Sequence, residues 1–171
     1  MLRGTVTLGD WLRNTQAWVE PIHHDDLGPV HAGFYSGMRT VQRELTEIVP
    51  SRPLIVCGHS LGAARAVILS ALLTLDGKEP IARICFGEPR AGFARLREIF
   101  APIKQQRSYR NRNATDHDEI TDLPFSLPLF PYQHPTDLTD LTVAPMPHTL
   151  WVFRFHVPEL YAGATPATPI I

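Results

Sequence analysis

The stretch "LIVCGHSLGAARAVILSALL", residues 54–73, limits the fold of this chain more than any other. A short continuous apolar run rich in β-branched residues suits a strand buried on both faces. It passes directly into a long alanine- and leucine-rich run with the composition of an amphipathic helix. Gly58, His59, Ser60, Leu61 and Gly62 stand between them. Glycines at minus two and plus two of the serine permit a strand-to-helix turn too sharp for side chains, and such a turn lifts the serine clear of the sheet. Ala63 and Ala64 extend the small-residue patch, which lets the helix pack closely on the strand. Ser60 is therefore a candidate nucleophile, in an elbow built from Gly58, His59 and Gly62.

The flanking chain repeats the alternation of helix and strand. In "FYSGMRTVQRELTEIV", Phe34, Met38, Val41, Leu45 and Ile48 recur at spacings of four and three, one apolar stripe on a helix that ends near Pro50. The helix after the elbow closes on Asp76 and Gly77, a C-terminal stop. "IARICFG" reads as a second buried strand, and "FARLREIF" as a short amphipathic helix with Phe93, Leu96, Ile99 and Phe100. "QRSYRNRN" reads as a third strand, polar enough to lie nearer a sheet edge. "LWVFRF", residues 150–155, alternates its aromatic residues on one face and reads as a further strand. Strands separated by helices predict an α/β fold with a mostly parallel sheet, helices on both faces, and site residues at the carboxyl ends of the strands. With 171 residues, 44% of them hydrophobic, the chain is expected to form a single domain over 1–171. Its sixteen prolines gather mainly after residue 124, so 124–149 is expected to be an irregular proline-rich segment within that domain.

Charge and cysteine usage remove several function classes. Sixteen Lys and Arg against seventeen Asp and Glu give a formal charge of -1, and no window concentrates basic residues, so nucleic acid is not an expected partner. Cys57 and Cys85 lie inside apolar strand-like runs and read as packing residues rather than a disulfide. "MLRGTVTLGD" has no apolar core of signal-peptide length, and no stretch of about 18 apolar residues occurs. The expectation is a soluble chain, cytoplasmic by default, with its oligomeric state open. "HHDD" at 23–26 and "DHDE" at 116–119 admit a metal-dependent hydrolase. Neither has the i, i+4 histidine spacing of a zinc helix, so no metal site and no cofactor is expected.

A serine hydroxyl becomes a useful nucleophile only when a base takes its proton, and the base needs a carboxylate to fix its tautomer and stabilise its charged form. After a strand-turn-helix elbow of this kind the chain order is serine, acid, histidine, so both partners must follow residue 60.

"RGT" followed by "DW", then "VHAGFY", "GHSLGAA", "FGEPRAG", "RNRNATDHDEITDLP" and "YQH" occur in one order from residue 3 to about 134. In this the chain resembles the fungal-type class 3 lipases, a branch of the α/β-hydrolase fold. The resemblance implies a serine carboxylester hydrolase acting on acylglycerols or related lipid esters through an acyl-enzyme on Ser60. The family's acid heads a D-x-[IV]-x-x-[LF]-P segment, which here places it at Asp118, with Asp116 the nearest competitor. Asp118 also follows the candidate strand at 108–112 by a loop, at a strand's carboxyl end. For the base, His23, His24 and His31 read as structural, and His134 matches a non-catalytic family position. His156 follows the predicted strand at 150–155 and opens "HVPELY", similar to the family's H-x-x-E-x-Y through Glu159 and Tyr161. It is favoured over His148, which precedes that strand. The oxyanion site needs two backbone N–H groups. Leu61 follows the nucleophile and supplies one; the resemblance implies Thr5 for the other, with its hydroxyl as a further donor. In the family the position of "TLGDWLRNT", 7–15, holds a lid that opens at a lipid surface, so a lipid or small ester substrate and transient lipid-surface contact are expected. The resemblance begins only at Arg3, without the family's usual preceding strands, so an N-terminally reduced sheet with an open edge is expected. A truncated, inactive lipase-like module is the alternative function.

Overall fold

A computed structural model of the chain describes residues 21–24, 26–49, 52–142 and 165–166. The described elements are β1 (Pro21–His24), β2 (Gly28–His31), α1 (Ala32–Tyr35), α2 (Met38–Ile48), β3 (Ile55–His59), α3 (Leu61–Leu75), β4 (Ala82–Phe86), α4 (Ala94–Phe100), β5 (Gln105–Arg112), a 3-10 turn (Glu119–Asp122), β6 (Leu138–Thr142) and β7 (Thr165–Pro166). β1 and β2 form an antiparallel pair, and the remaining strands form one sheet in the order β3-β4-β5-β6-β7. β3 to β6 run parallel in sequence order, and β7 pairs antiparallel with β6. The expected α/β-hydrolase architecture, a mostly parallel sheet with helices, is present. β3 is the terminal strand of that sheet among the described residues.

Side-chain alternation along the strands separates two faces. Val56 and Gly58 on β3 stand in register with Arg83 and Cys85 on β4, and this face meets α3. The Cys85 thiol lies against the carbonyl of Ala63. On the other face Ile84 and Phe86 pack with Tyr109 and Leu141, Phe86 stacking on Tyr109 at 5.3 Å. Adjacent residues of a strand point to opposite faces, so Cys57, in register with Ile84, is turned away from Cys85. Both cysteines are free, as their apolar setting implied.

α3 is the centre of the core. The sequence suggested an amphipathic helix, but Leu61 through Leu73 are all buried except Arg65. The reason is packing on several sides: α3 touches β3, β4, α1, α2 and α4. A helix enclosed in this way must be apolar all round. It stops where expected. Gly77 takes the left-handed conformation at φ 71 and donates to Thr74 O, while the Lys78 amide donates to Leu73 O at 2.8 Å. Those two bonds are the Schellman pattern.

Three elements differ from the sequence reading. The single helix expected over the 34–48 stripe is broken, because Gly37 adopts φ 77 and starts α2 afresh. Phe34 and Met38 of that stripe are buried in the core and Val41 and Leu45 pack against it, but Gln42 is also buried, against Asp76, whereas Ile48 is 74% exposed. β5, expected near a sheet edge, lies between β4 and β6. Its polar side chains are accommodated by partners: Ser108 bonds Glu88, and Arg110 and Arg112 grip the two oxygens of Asp140 at 2.9 Å each. Within the proline-rich segment, the proline-free "LTDLT" forms β6. The strand expected at 150–155 lies outside the described residues.

Candidate active site

The elbow forms where β3 meets α3. Ser60 adopts φ 58, ψ -129 and is the one non-glycine with positive φ among the described residues. Such a conformation costs about 1–3 kcal/mol and persists only where surrounding contacts enforce it. Those contacts are visible. The Ser60 amide donates to Phe86 O at the end of β4 (3.0 Å), and its carbonyl accepts from Ala63 (2.8 Å) and Ala64 (3.2 Å) in the first turn of α3. Gly58 is needed because a Cβ there would stand 2.2 Å from the Gly62 carbonyl oxygen and 2.7 Å from the Ala63 nitrogen.

Ser60 is 4% exposed, and its hydroxyl oxygen is buried without a hydrogen-bond partner among the described residues. The side chain does not cap α3, although serine is a favoured cap elsewhere. A buried, unsatisfied hydroxyl on a strained residue is unfavourable for stability and suitable for chemistry. Leu61 is the first residue of α3, so its N–H has no acceptor within the helix and lies at the positive end of the helix dipole.

Asp118 follows β5 and is fully buried. Its amide donates to Asn111 O at 2.9 Å, tying it to the end of the strand. As N-cap of the 3-10 turn its carboxylate accepts from the Ile120 amide at 3.1 Å, and its carbonyl accepts from the Thr121 hydroxyl at 2.6 Å. Asp116, the competing acid, is half-buried in a turn closed by Asn113. Ser60 and Asp118 thus close the carboxyl ends of β3 and β5, with β4 between them. Two interstrand spacings, about 10 Å, separate β3 from β5.

The histidines divide clearly where they are described. His31 is buried and stacked on Phe34 at 4.1 Å, consistent with a structural part. His117 pairs with Asp122 through Nε2 at 2.6 Å. His134 lies between the Glu88 carboxylate, 3.3 Å from Nδ1, and the Thr121 carbonyl, 2.8 Å from Nε2. Thr5, His148, His156 and the lid position at 7–15 lie outside the described residues. Among the described residues no three His, Cys, Asp or Glu side chains gather as metal ligands.

Sequence reasoning missed the buried charges below the turn that carries Asp118. Arg83 and Glu88 are fully buried and paired, and Arg83 also donates to Ser108 Oγ (3.1 Å) and Thr136 Oγ1 (2.8 Å) while lying over the Phe100 ring. Burial pushes the Glu88 carboxyl up, but the Arg83 cation and His134 outweigh it and hold the group down at about 2. Burial opposes the charge on Arg83 as well, and Glu88 raises it overall. The signal was present: an arginine inside the apolar run "IARICFG" requires a buried anion, and Glu88 is the next carboxylate along the chain.

A parallel sheet with a strained serine at a strand-to-helix turn and a buried carboxylate two strands away defines a protein of the α/β-hydrolase class. The chain belongs to the lipase (class 3) family, whose family model matches residues 1–127. The secreted mono- and diacylglycerol lipase 2 of Gibberella zeae is 25% identical over 158 residues, which are 88% of this chain and 35% of that protein. The secreted mono- and diacylglycerol lipase 1 of Fusarium solani is 28% identical over 141 residues, 78% of this chain and 40% of that protein. The chain therefore spans well under half the length of these curated relatives. Its fold is similar to the crystal structure of the mono- and diacylglycerol lipase of Aspergillus oryzae, with a TM-score of 0.61 at 22% identity over 89% of this chain and 56% of that one. It is also similar to a triacylglycerol lipase whose catalytic centre is described as a serine protease triad, with a TM-score of 0.62 at 21% identity, covering 83% and 55% of the two chains.

Proposed function

We propose that this chain is a serine carboxylester hydrolase of lipase type. The observation that carries the reading is Ser60, held at φ 58 in the strand-to-helix turn, its hydroxyl buried and without a hydrogen-bond partner among the described residues. In this reading Ser60 Oγ attacks the ester carbonyl carbon while a histidine, His156, takes its proton. Asp118 orients that imidazole and balances its charge. The Leu61 and Thr5 N–H groups stabilise the oxyanion of the tetrahedral intermediate. The intermediate collapses with the histidine returning the proton to the leaving alcohol, and water then releases the acid from Ser60 by the same route in reverse. Membership of the class 3 lipases and the acylglycerol lipases among its relatives support an acylglycerol or related lipid ester as substrate. The position at 7–15 is the proposed lid, and a lipid surface the proposed contact.

The test is hydrolysis of p-nitrophenyl esters of increasing acyl length by the purified chain, beside Ser60→Ala. Turnover lost in Ser60→Ala supports the reading, and a rise in kcat/KM with acyl length supports a lipid ester. Absence of turnover on every ester, with the fold intact, replaces it with an inactive lipase-like module.

A further inference from the structure

The turn carrying Asp118 is held from two sides by residues of other segments. From beneath, His134 reaches Thr121 O through Nε2 at 2.8 Å while Nδ1 faces the buried Glu88. The Thr121 carbonyl can only accept, so the shorter contact fixes the N–H on Nε2 and anchors the ring to the acid's turn. Thr121 passes this on: its hydroxyl and its amide both donate to the Asp118 carbonyl, at 2.6 and 3.2 Å. From the side, Arg90 closes on the following residues. Its amide donates to Leu123 O (2.7 Å), Nη1 to Asp122 O (2.5 Å), and Nη2 to the Asp122 carboxylate (2.8 Å). Nη1 also lies 3.3 Å from Pro124 O.

Glu88 and Arg90 both belong to "GEPR", the segment that leaves β4 beside the elbow, where Phe86 O accepts the Ser60 amide. The stretch 86–90 therefore contacts the nucleophile's turn through Phe86 and grips the acid's turn through Arg90. We infer that Arg90 and His134 are positioning residues for Asp118: they fix the acid's turn relative to Ser60, His134 acting through Thr121. This rests on the reading of Asp118 as the acid. A guanidinium fork that meets two carbonyls and a carboxylate suits the task, because a lysine keeps the charge but not the geometry.

The experiment compares Arg90→Lys, His134→Gln, Thr121→Val and Thr121→Ser, with Asp118→Asn as reference, on a soluble p-nitrophenyl ester and with folding followed by circular dichroism. Displacement of a catalytic group by about 1 Å can cost about a hundredfold in rate. Arg90→Lys and Thr121→Val are expected to lower kcat about tenfold, within that limit, with KM changed less than about twofold. Thr121→Ser, which keeps the hydroxyl, restores kcat. His134→Gln, which keeps one donor for the Thr121 carbonyl, falls between Thr121→Val and the parent. Variants that melt earlier but keep the parent kcat and KM would overturn the inference, leaving these residues with a part in stability alone. If Asp118→Asn keeps the parent kcat, the acid assignment itself fails, and that outcome is separate from the behaviour of the other variants.

Discussion

Adding a methyl group at Gly58 tests whether the elbow is built as described. The new Cβ would lie 2.2 Å from the Gly62 carbonyl oxygen, 2.4 Å from its carbon and 2.7 Å from the Ala63 nitrogen. Ordinary contacts between such atoms need about 3.5 Å, so the first turn of α3 must move by about 1 Å. All three obstructing atoms are backbone, and no rotamer change relieves the clash. Overpacking of this kind costs about 1–3 kcal/mol, and the backbone obstruction puts Gly58→Ala at the upper end. For a chain of this size about 3 kcal/mol corresponds to a fall of roughly 6–12 °C in Tm. The same movement carries Ser60 out of register, and kcat is expected to fall about a hundredfold. Gly77→Ala is the control at the other end of α3. It has positive φ but nothing within 4 Å of its Cβ, so it costs only about 1–2 kcal/mol and leaves kcat unchanged. Thermal melting and kcat on a soluble ester measure both variants. A Gly58→Ala protein with the parent Tm and kcat would refute the packing argument.

Further outcomes follow from Ser60, Glu88 and the core. Ser60→Gly relieves φ 58, so urea denaturation should show a gain of about 1 kcal/mol while ester hydrolysis is lost. Glu88 has its pKa held at about 2 in the folded chain against an ordinary 4.5, so the unfolded chain binds its proton first as pH falls. Its contribution is complete above about 4.5 and is lost between 4.5 and 2; stability measured against pH should show this loss in the parent and a shallower one in Glu88→Gln. Leu72→Ala opens a cavity at a fully buried position near the C-terminal end of α3 and should cost about 2–5 kcal/mol by the same urea assay.

How much could be read in the sequence depended on whether the physical cause was local. The elbow was legible because its steric requirement is confined to five residues: Gly58 must be bare for Ser60 to turn, and that need appears as spacing. The segment that follows Asp118 singled it out as the candidate acid, and the folded chain buries it as the cap of the 3-10 turn. β5 was misplaced because polarity was read as exposure. Arg110 and Ser108 are satisfied by Asp140 and Glu88, partners distant in sequence whose presence no window of the strand reveals. The break before α2 hides in one glycine, since the 34–48 stripe reads the same whether or not Gly37 turns left-handed. Arg83 is the instructive case: its setting in an apolar strand demanded a partner, but only the folded chain shows Glu88 joined to His134 and, through Thr121, to the turn carrying Asp118.

The central claim is that Ser60 is an activated nucleophile, and covalent labelling tests it most directly. A fluorophosphonate reacts with a serine only when a base withdraws its proton and an oxyanion site receives the phosphoryl oxygen. Intact mass and peptide mapping of the labelled chain should show one adduct, on the peptide containing Ser60, and none in Ser60→Ala or after unfolding. Equal labelling of the parent and Ser60→Ala, or a folded parent that stays unlabelled, would contradict the account.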